Sequence, residues 1–123
     1  MDMRRNATIL LTLAVLLGAC STAAEESPGD GRLVILDETG NVVTMAPDGM
    51  DIVTLANDGG GGVTYFQPIW SPDGSSISVT RSDAGTFSIE IIDAETGERT
   101  STATDSNSFY QYWSPDGSKL ASL

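Results

Sequence analysis

The sequence predicts an all-β fold built from repeated antiparallel sheets. Beyond the first twenty residues, no segment shows the apolar spacing of an amphipathic helix. Short runs instead alternate apolar and polar residues, as half-buried strands do, and clusters of glycine, proline and aspartate separate them. A five-residue turn motif also occurs twice at a fixed distance. These three observations favour repeated hairpins.

The repeated motif has the chemistry of a tight turn between two strands. Proline presets the φ angle of a type I turn, serine and aspartate bond nearby backbone groups, and glycine accepts a left-handed conformation. The first copy is Trp70-Ser71-Pro72-Asp73-Gly74, and the second, 43 residues later, is Trp113-Ser114-Pro115-Asp116-Gly117. A period of roughly 40–45 residues suits a four-stranded propeller blade. We therefore predict a partial β-propeller of about two four-stranded antiparallel blades and the start of a third.

The ten motif residues are predicted to be structural. Trp70 and Trp113 hold equivalent positions of the repeat, which favours packing between adjacent blades over stacking on a ligand. Asp73 and Asp116 are favoured as turn-capping residues over metal ligands, because short polar side chains commonly bond the backbone of their own turn.

The first nineteen residues have the features of a secretory signal helix. A start with two arginines precedes a mostly apolar run over residues 7–17, and small residues follow as far as Ala19. The apolar run is short for a permanent membrane helix. The single cysteine, Cys20, comes next and has no partner for an internal disulfide.

The stretch Leu17-Gly18-Ala19-Cys20 resembles the lipobox of bacterial lipoproteins. The resemblance implies cleavage between Ala19 and Cys20 and attachment of a diacylglyceryl group to the Cys20 sulfur. It also implies an extracytoplasmic place in the bacterial cell envelope, in the periplasm or on the outer surface. There are two alternatives: an ordinary signal peptide with an incidental cysteine, and a retained membrane helix.

Residues 20–30 are predicted to form a flexible tether, because they lack apolar periodicity. Counting 43 residues back from Asp73 and Gly74 reaches Asp30 and Gly31. The end of the tether therefore also fits a degenerate third copy of the turn, without its tryptophan.

Residues 31–123 are predicted to form the incomplete propeller, with blades at about 31–62, 63–105 and 106–123. In the first blade, strands are expected at 33–36, 42–45 and 52–55, and the continuous apolar run of the first suggests burial on both faces. In the second, alternating strands lie around 76–80 and 87–91, and residues 99–104 form a polar outer strand. Residues 109–113 open the third blade.

Composition excludes several functions. With 17 acidic and 6 basic residues the formal net charge is −11, which disfavours binding to nucleic acid. The chain has no histidine, so a Ser-His-Asp group cannot form from it alone. The acidic loops lack calcium-loop spacing, and no serine lies in a Gly-x-Ser-x-Gly motif. We therefore predict no catalytic residue, metal site or cofactor in this chain.

The Trp-Ser-Pro-Asp-Gly turn followed by a short alternating strand resembles the repeat of TolB-type β-propellers, a WD-like family. The resemblance covers roughly residues 31–123. Similar repeats occur in the periplasmic TolB protein, in lipoproteins and in the propeller domains of prolyl oligopeptidase-like enzymes. Family propellers have more blades than 123 residues supply. A piece of a longer protein is therefore expected, and a ring assembled from several copies is the alternative.

The function implied by both resemblances is that of a lipid-anchored, extracytoplasmic module for binding or scaffolding, and not an enzyme. Its expected partners are the membrane, through lipid on Cys20, and either envelope proteins or a small ligand. The alternative is the propeller domain of a prolyl oligopeptidase-like hydrolase whose catalytic domain is absent from this chain.

Overall fold

The computed structural model describes Gly29, residues 31–105, Ser108 and residues 110–123. Within these residues the chain forms nine strands and no helix, which confirms the predicted all-β class. The predicted signal helix, the cleavage site at Ala19 and Cys20, and all of the tether except Gly29 lie outside the described residues. A search of the described part finds no helix that is long and apolar enough to cross a membrane.

The first sheet has three antiparallel strands in the order β1-β2-β3, at Leu33–Leu36, Val42–Met45 and Val53–Ala56. One expectation was wrong here: β1 is not buried on both faces, since Leu33 is 48% exposed and the rest of β1 is half-buried. The reason is that β1 has a strand beside it on one edge only among the described residues.

The second sheet is a complete four-stranded antiparallel unit. Its strands run in chain order, β4 at Val63–Trp70, β5 at Ser76–Asp83, β6 at Thr86–Asp93 and β7 at Arg99–Thr104. The threonine-rich β7 is the outer strand, as predicted, and is almost wholly exposed. A polar edge of this kind discourages pairing with other chains.

The third sheet pairs β8, Gln111–Trp113, with β9, Leu120–Ser122. The described residues thus contain one complete blade between two partial ones. This arrangement confirms the predicted partial propeller.

Three turns hold matching positions in the three sheets. Gly31, Gly74 and Gly117 lie 43 residues apart and have φ angles of 66°, 66° and 69°. Neighbouring turns also touch: the Gly29 N–H donates to the Gly74 carbonyl at 2.8 Å, and a Cβ on Gly117 would lie 3.8 Å from the Pro72 Cδ. Gly31 therefore has the same backbone conformation as the other two turn glycines, and β1 follows it as β5 and β9 follow theirs.

The hydrophobic core joins the first and second sheets. Its buried members are 2% exposed or less and come from both sheets: Val42, Ala56, Tyr65, Val79 and Ile92. Burial of an aliphatic side chain of this size contributes about 1.5–3 kcal/mol. The core therefore holds β4 in place, and β4 forms one wall of the site described next.

Candidate functional site: a groove between β4 and β8

A groove of about 530 Å³ lies between the inner strands of the second and third sheets. This volume falls within the range of ligand sites in proteins, roughly 300–1,000 Å³. The β4 side is formed by Gln67, Pro68, Ile69, Trp70 and Pro72, and the β8 side by Tyr110, Gln111, Tyr112 and Trp113. None of these nine described residues is charged.

A bulge in β4 shapes one wall of the groove. Phe66 pairs with Thr80 and Ile69 pairs with Ser78, so Gln67 and Pro68 lie outside the regular register. Gln67 has a φ of 50°, a left-handed conformation that non-glycine residues adopt rarely, at a cost on the order of 1–3 kcal/mol. Bulges and strain of this kind concentrate beside functional sites.

Aromatic rings dominate the groove. Tyr110 and Tyr112 are 58% and 63% exposed, while Trp70 and Trp113 are half-buried. Large apolar side chains grouped at a surface mark interaction sites more often than isolated ones do. Tyrosine and tryptophan also combine a flat apolar face with a polar atom, which suits them to binding.

Three buried polar atoms of the lining residues have no hydrogen-bond partner among the described residues: Trp70 Nε1, Trp113 Nε1 and Gln111 Oε1. Gln111 is only 1% exposed. Its Nε2 donates to Thr80 Oγ1 at 2.7 Å, and Thr80 Oγ1 donates to the Ser108 carbonyl at 3.1 Å. The Gln111 amide is therefore fixed in position, while its Oε1 accepts no hydrogen bond from a described residue. Because buried polar groups are nearly always bonded, the lining residues carry one acceptor and two donors that lack the usual partner.

The predicted turn residues lie where the motif placed them, after β4 and β8. Ser71 Oγ donates to Asp73 Oδ1 at 2.6 Å, and Ser114 Oγ donates to Asp116 Oδ1 at 2.5 Å. The bond from Ser71 lowers the pKa of Asp73, and the bond from Ser114 lowers the pKa of Asp116 to about 2. Across the described part of the chain, no three or more metal-binding side chains cluster together.

Trp70 contacts a neighbouring turn as well as the groove. A Cβ placed on Gly29 would lie 2.7 Å from the Cε3 and Cζ3 atoms of its ring. The sequence argument set packing between blades against stacking on a ligand, and the position of this ring is compatible with both.

A second polar cluster joins the second sheet to the connection that precedes it. The Tyr65 hydroxyl donates to Asp58 Oδ1 at 2.7 Å, and Arg99 Nη1 donates to the same oxygen at 2.9 Å. Arg81 Nε and Arg99 Nη1 each lie 3.6 Å from a Glu90 carboxylate oxygen. Burial raises the pKa of Glu90 and is the main reason that the pKa of Tyr65 rises to about 12. The two guanidinium groups balance the acids, so this cluster fastens Asp58, in the connection between β3 and β4, to the second sheet.

The sequence prediction missed the polar and tyrosine residues of the groove, Gln67, Gln111, Tyr110 and Tyr112. One signal was present: the run from Tyr110 to Trp113 is aromatic except for a single glutamine. The bulge that brings Gln67 to the groove has no equally clear signal in the sequence.

The fold and the groove define the class of this chain as an all-β protein of the propeller type. A solved structure described as "Oligogalacturonate lyase in complex with manganese" superposes on it with a TM-score of 0.60 and 20% identity, over 74% of this chain and 26% of that chain. The likeness shows the propeller-type fold, and this chain spans only 26% of that neighbour's length. No family model and no curated protein matches the sequence.

Proposed function

We propose that this chain is part of a lipid-anchored, extracytoplasmic β-propeller of TolB-type repeats that binds a partner in the groove between β4 and β8. Cleavage after Ala19 and lipid attachment at Cys20 would hold it on a membrane of the bacterial cell envelope. The lipobox-like residues and the polar tether after them support the anchor. The expected partner is an envelope protein or a small ligand.

The observation that carries the binding role is the combination of Gln111 with the aromatic rings around it. A ligand in this groove would contact aromatic faces, and the lining residues Gln111, Trp70 and Trp113 each hold a buried polar atom with no partner among the described residues. The left-handed φ of Gln67 destabilises the fold, and backbone strain of this kind clusters at functional sites. The net charge of −11 favours a neutral or cationic partner over an anionic one.

Site-specific photo-crosslinking in the native cell tests the groove. Tyr112→p-benzoylphenylalanine places the reactive group at the groove, and Thr102→p-benzoylphenylalanine places it on the exposed outer strand β7 as a matched control. We expect a discrete crosslinked species from position 112 and none from position 102. Equal crosslinking at both positions would contradict a role for the groove.

The anchor is tested separately by metabolic labelling with palmitate. The unaltered chain should incorporate label and fractionate with membranes, and Cys20→Ala should do neither. Equal labelling of the two chains would reject lipidation and leave the groove result unaffected.

A second candidate is the propeller domain of a prolyl oligopeptidase-like hydrolase. The observation in its favour is that the structural neighbour is an enzyme much longer than this chain. The coding sequence downstream of residue 123 separates the candidates. Further Trp-Ser-Pro-Asp-Gly units followed by a stop favour the binding module, and a Gly-x-Ser-x-Gly segment with later aspartate and histidine favours the hydrolase.

A further inference from the structure

A fully buried threonine of the second sheet connects the two walls of the groove. Thr80 lies in β5 and pairs with Phe66 of β4, the last regularly paired residue before the bulge that shapes the β4 wall. Its Oγ1 accepts a hydrogen bond from Nε2 of Gln111, in the β8 wall, at 2.7 Å. Thr80 is thus attached to β4 by strand pairing and to β8 by its side chain.

A second hydrogen bond fixes the direction of the first. The Thr80 hydroxyl has one hydrogen, which it donates to the Ser108 carbonyl at 3.1 Å, and a carbonyl can only accept. The hydroxyl has only lone pairs left for Gln111, so the amide must turn its Nε2, and not its Oε1, toward Thr80. One hydroxyl therefore holds two residues, Ser108 and Gln111, of the segment that leads into the β8 wall and forms it.

The contact between the second and third sheets differs in kind from the contact between the first and second. Apolar side chains such as Val42 and Val79 join the first two sheets, and apolar contacts have no preferred direction. Thr80 and Gln111 are 0% and 1% exposed and meet through a hydrogen bond. A buried hydrogen bond defines a distance and an angle, and it is strong where water is excluded. It therefore defines the relative position of the two walls more narrowly than apolar packing would.

We propose that Thr80 is a positioning residue of the groove: it holds the β8 wall at a set distance and orientation from the β4 wall before any partner binds. The inference rests on the proposed binding role of the groove, because Thr80 is too deeply buried to contact an occupant itself. Walls that are already in place lower the cost of ordering side chains on binding. Loss of the Thr80 hydroxyl should therefore weaken binding without removing any residue that contacts the partner.

The sequence provides a direct reporter of this contact. The chain has only two glutamines, Gln67 and Gln111, and one lies in each wall of the groove. Gln67 is exposed and Gln111 is buried, so the side-chain amide of Gln67 is an internal reference for that of Gln111. In the full chain labelled with ¹⁵N on the glutamine side chains, NMR measures hydrogen exchange of both amides, and Gln67→Asn assigns the two signals.

Two substitutions separate the hydroxyl from the shape of the side chain. Thr80→Val removes the hydroxyl and keeps the volume, whereas Thr80→Ser keeps the hydroxyl. Thr102→Val, on the exposed strand β7, is the matched control. Each is also combined with p-benzoylphenylalanine at position 112, and the yield of crosslinked partner in the native cell is compared with that of the parent chain.

In the parent chain we expect the Gln111 amide to exchange at least about tenfold more slowly than the Gln67 amide. Thr80→Val should abolish this difference and lower the crosslinking yield at least about fivefold, because the β8 wall is no longer held in place. Thr80→Ser and Thr102→Val should behave as the parent chain does. If Thr80→Val does not fold, Thr80→Ser decides: parent-like exchange and crosslinking support the proposal, and loss of either overturns it.

Three other results would overturn the proposal. They are a Gln111 amide that exchanges as fast as Gln67 in the parent chain, a Gln111 amide that stays protected in Thr80→Val, and an undiminished crosslinking yield in Thr80→Val. Absence of crosslinking from the parent chain would contradict the proposed function instead. The exchange measurement would then still decide whether Thr80 holds Gln111, so the two failures are distinguishable.

Discussion

The first and second sheets come from the same repeat, yet their apolar residues meet different surroundings. Ile77 and Val79 lie in a strand that is flanked on both edges and packed against the first sheet, and both are fully buried. Val34 and Leu36 have the same positions in β1 and remain half-buried. A repeat therefore fixes where a side chain lies in its sheet, while the neighbouring strands decide how much that side chain stabilises the fold.

The largest expected effect comes from truncation in the better-covered sheet. Ile77→Ala should lower the free energy of unfolding by about 2–5 kcal/mol, because a fully buried side chain leaves a cavity. Leu36→Ala should cost less, on the order of 1–2 kcal/mol, because water already reaches Leu36. Urea denaturation monitored by tryptophan fluorescence measures both. Equal losses would mean that the two sheets are covered alike.

The contact between the first two turns should respond to one added methyl group. Gly29→Ala places a Cβ 2.7 Å from the Trp70 ring and 2.8 Å from the Gly74 carbonyl, and should cost about 1–3 kcal/mol. Gly49→Ala is the matched control for an added methyl in open space, since nothing lies within 4 Å of it. The cost of Gly49→Ala comes only from the left-handed φ of 82°, and should be about 1–2 kcal/mol. The fluorescence of Trp70 should shift in the first variant only, and an unshifted spectrum there would argue against the contact.

Acid should weaken the turns through Asp116. Its pKa of about 2 in the folded chain lies below the ordinary value of 3.8, so its contribution is present above about pH 4 and disappears as the pH falls toward 2. Asp116→Asn should therefore be less stable than the parent chain at pH 6, and most of that difference should be lost at pH 2. Chemical denaturation across this range provides the comparison. A difference that persists undiminished at pH 2 would contradict this role of the carboxylate.

The smallest effect, of opposite sign, is expected at Glu90 in the polar cluster of the second sheet. Burial raises the pKa of Glu90 above its ordinary value of 4.5, so protonation favours the folded chain and Glu90 adds stability as the pH falls through its folded pKa. Glu90→Gln lacks this gain. The parent chain should therefore gain stability relative to the variant as the pH falls from 7 toward 4.5. A difference between them that is independent of pH would show that Glu90 titrates normally.

Local features account for the parts of the fold that the sequence could predict. The two Trp-Ser-Pro-Asp-Gly turns, the outer strand β7 and the degenerate turn at Gly31 follow from short-range chemistry and the period of the repeat. The exposure of β1 could not be predicted, because it depends on which strands lie beside it in the folded chain. The groove could not be predicted either, since it requires a bulge at Gln67 and a glutamine held by Thr80 from another sheet. Lipidation of Cys20 remains a prediction.

The ring of Trp70 has one further consequence. The same indole lies against Gly29 in the turn of the preceding sheet and lines the groove toward the following one. A side chain shared in this way cannot adjust to an occupant of the groove without pressing on, or drawing away from, the turn behind it. A displacement of the Trp70 ring at the groove would therefore change its packing against Gly29 in the preceding turn.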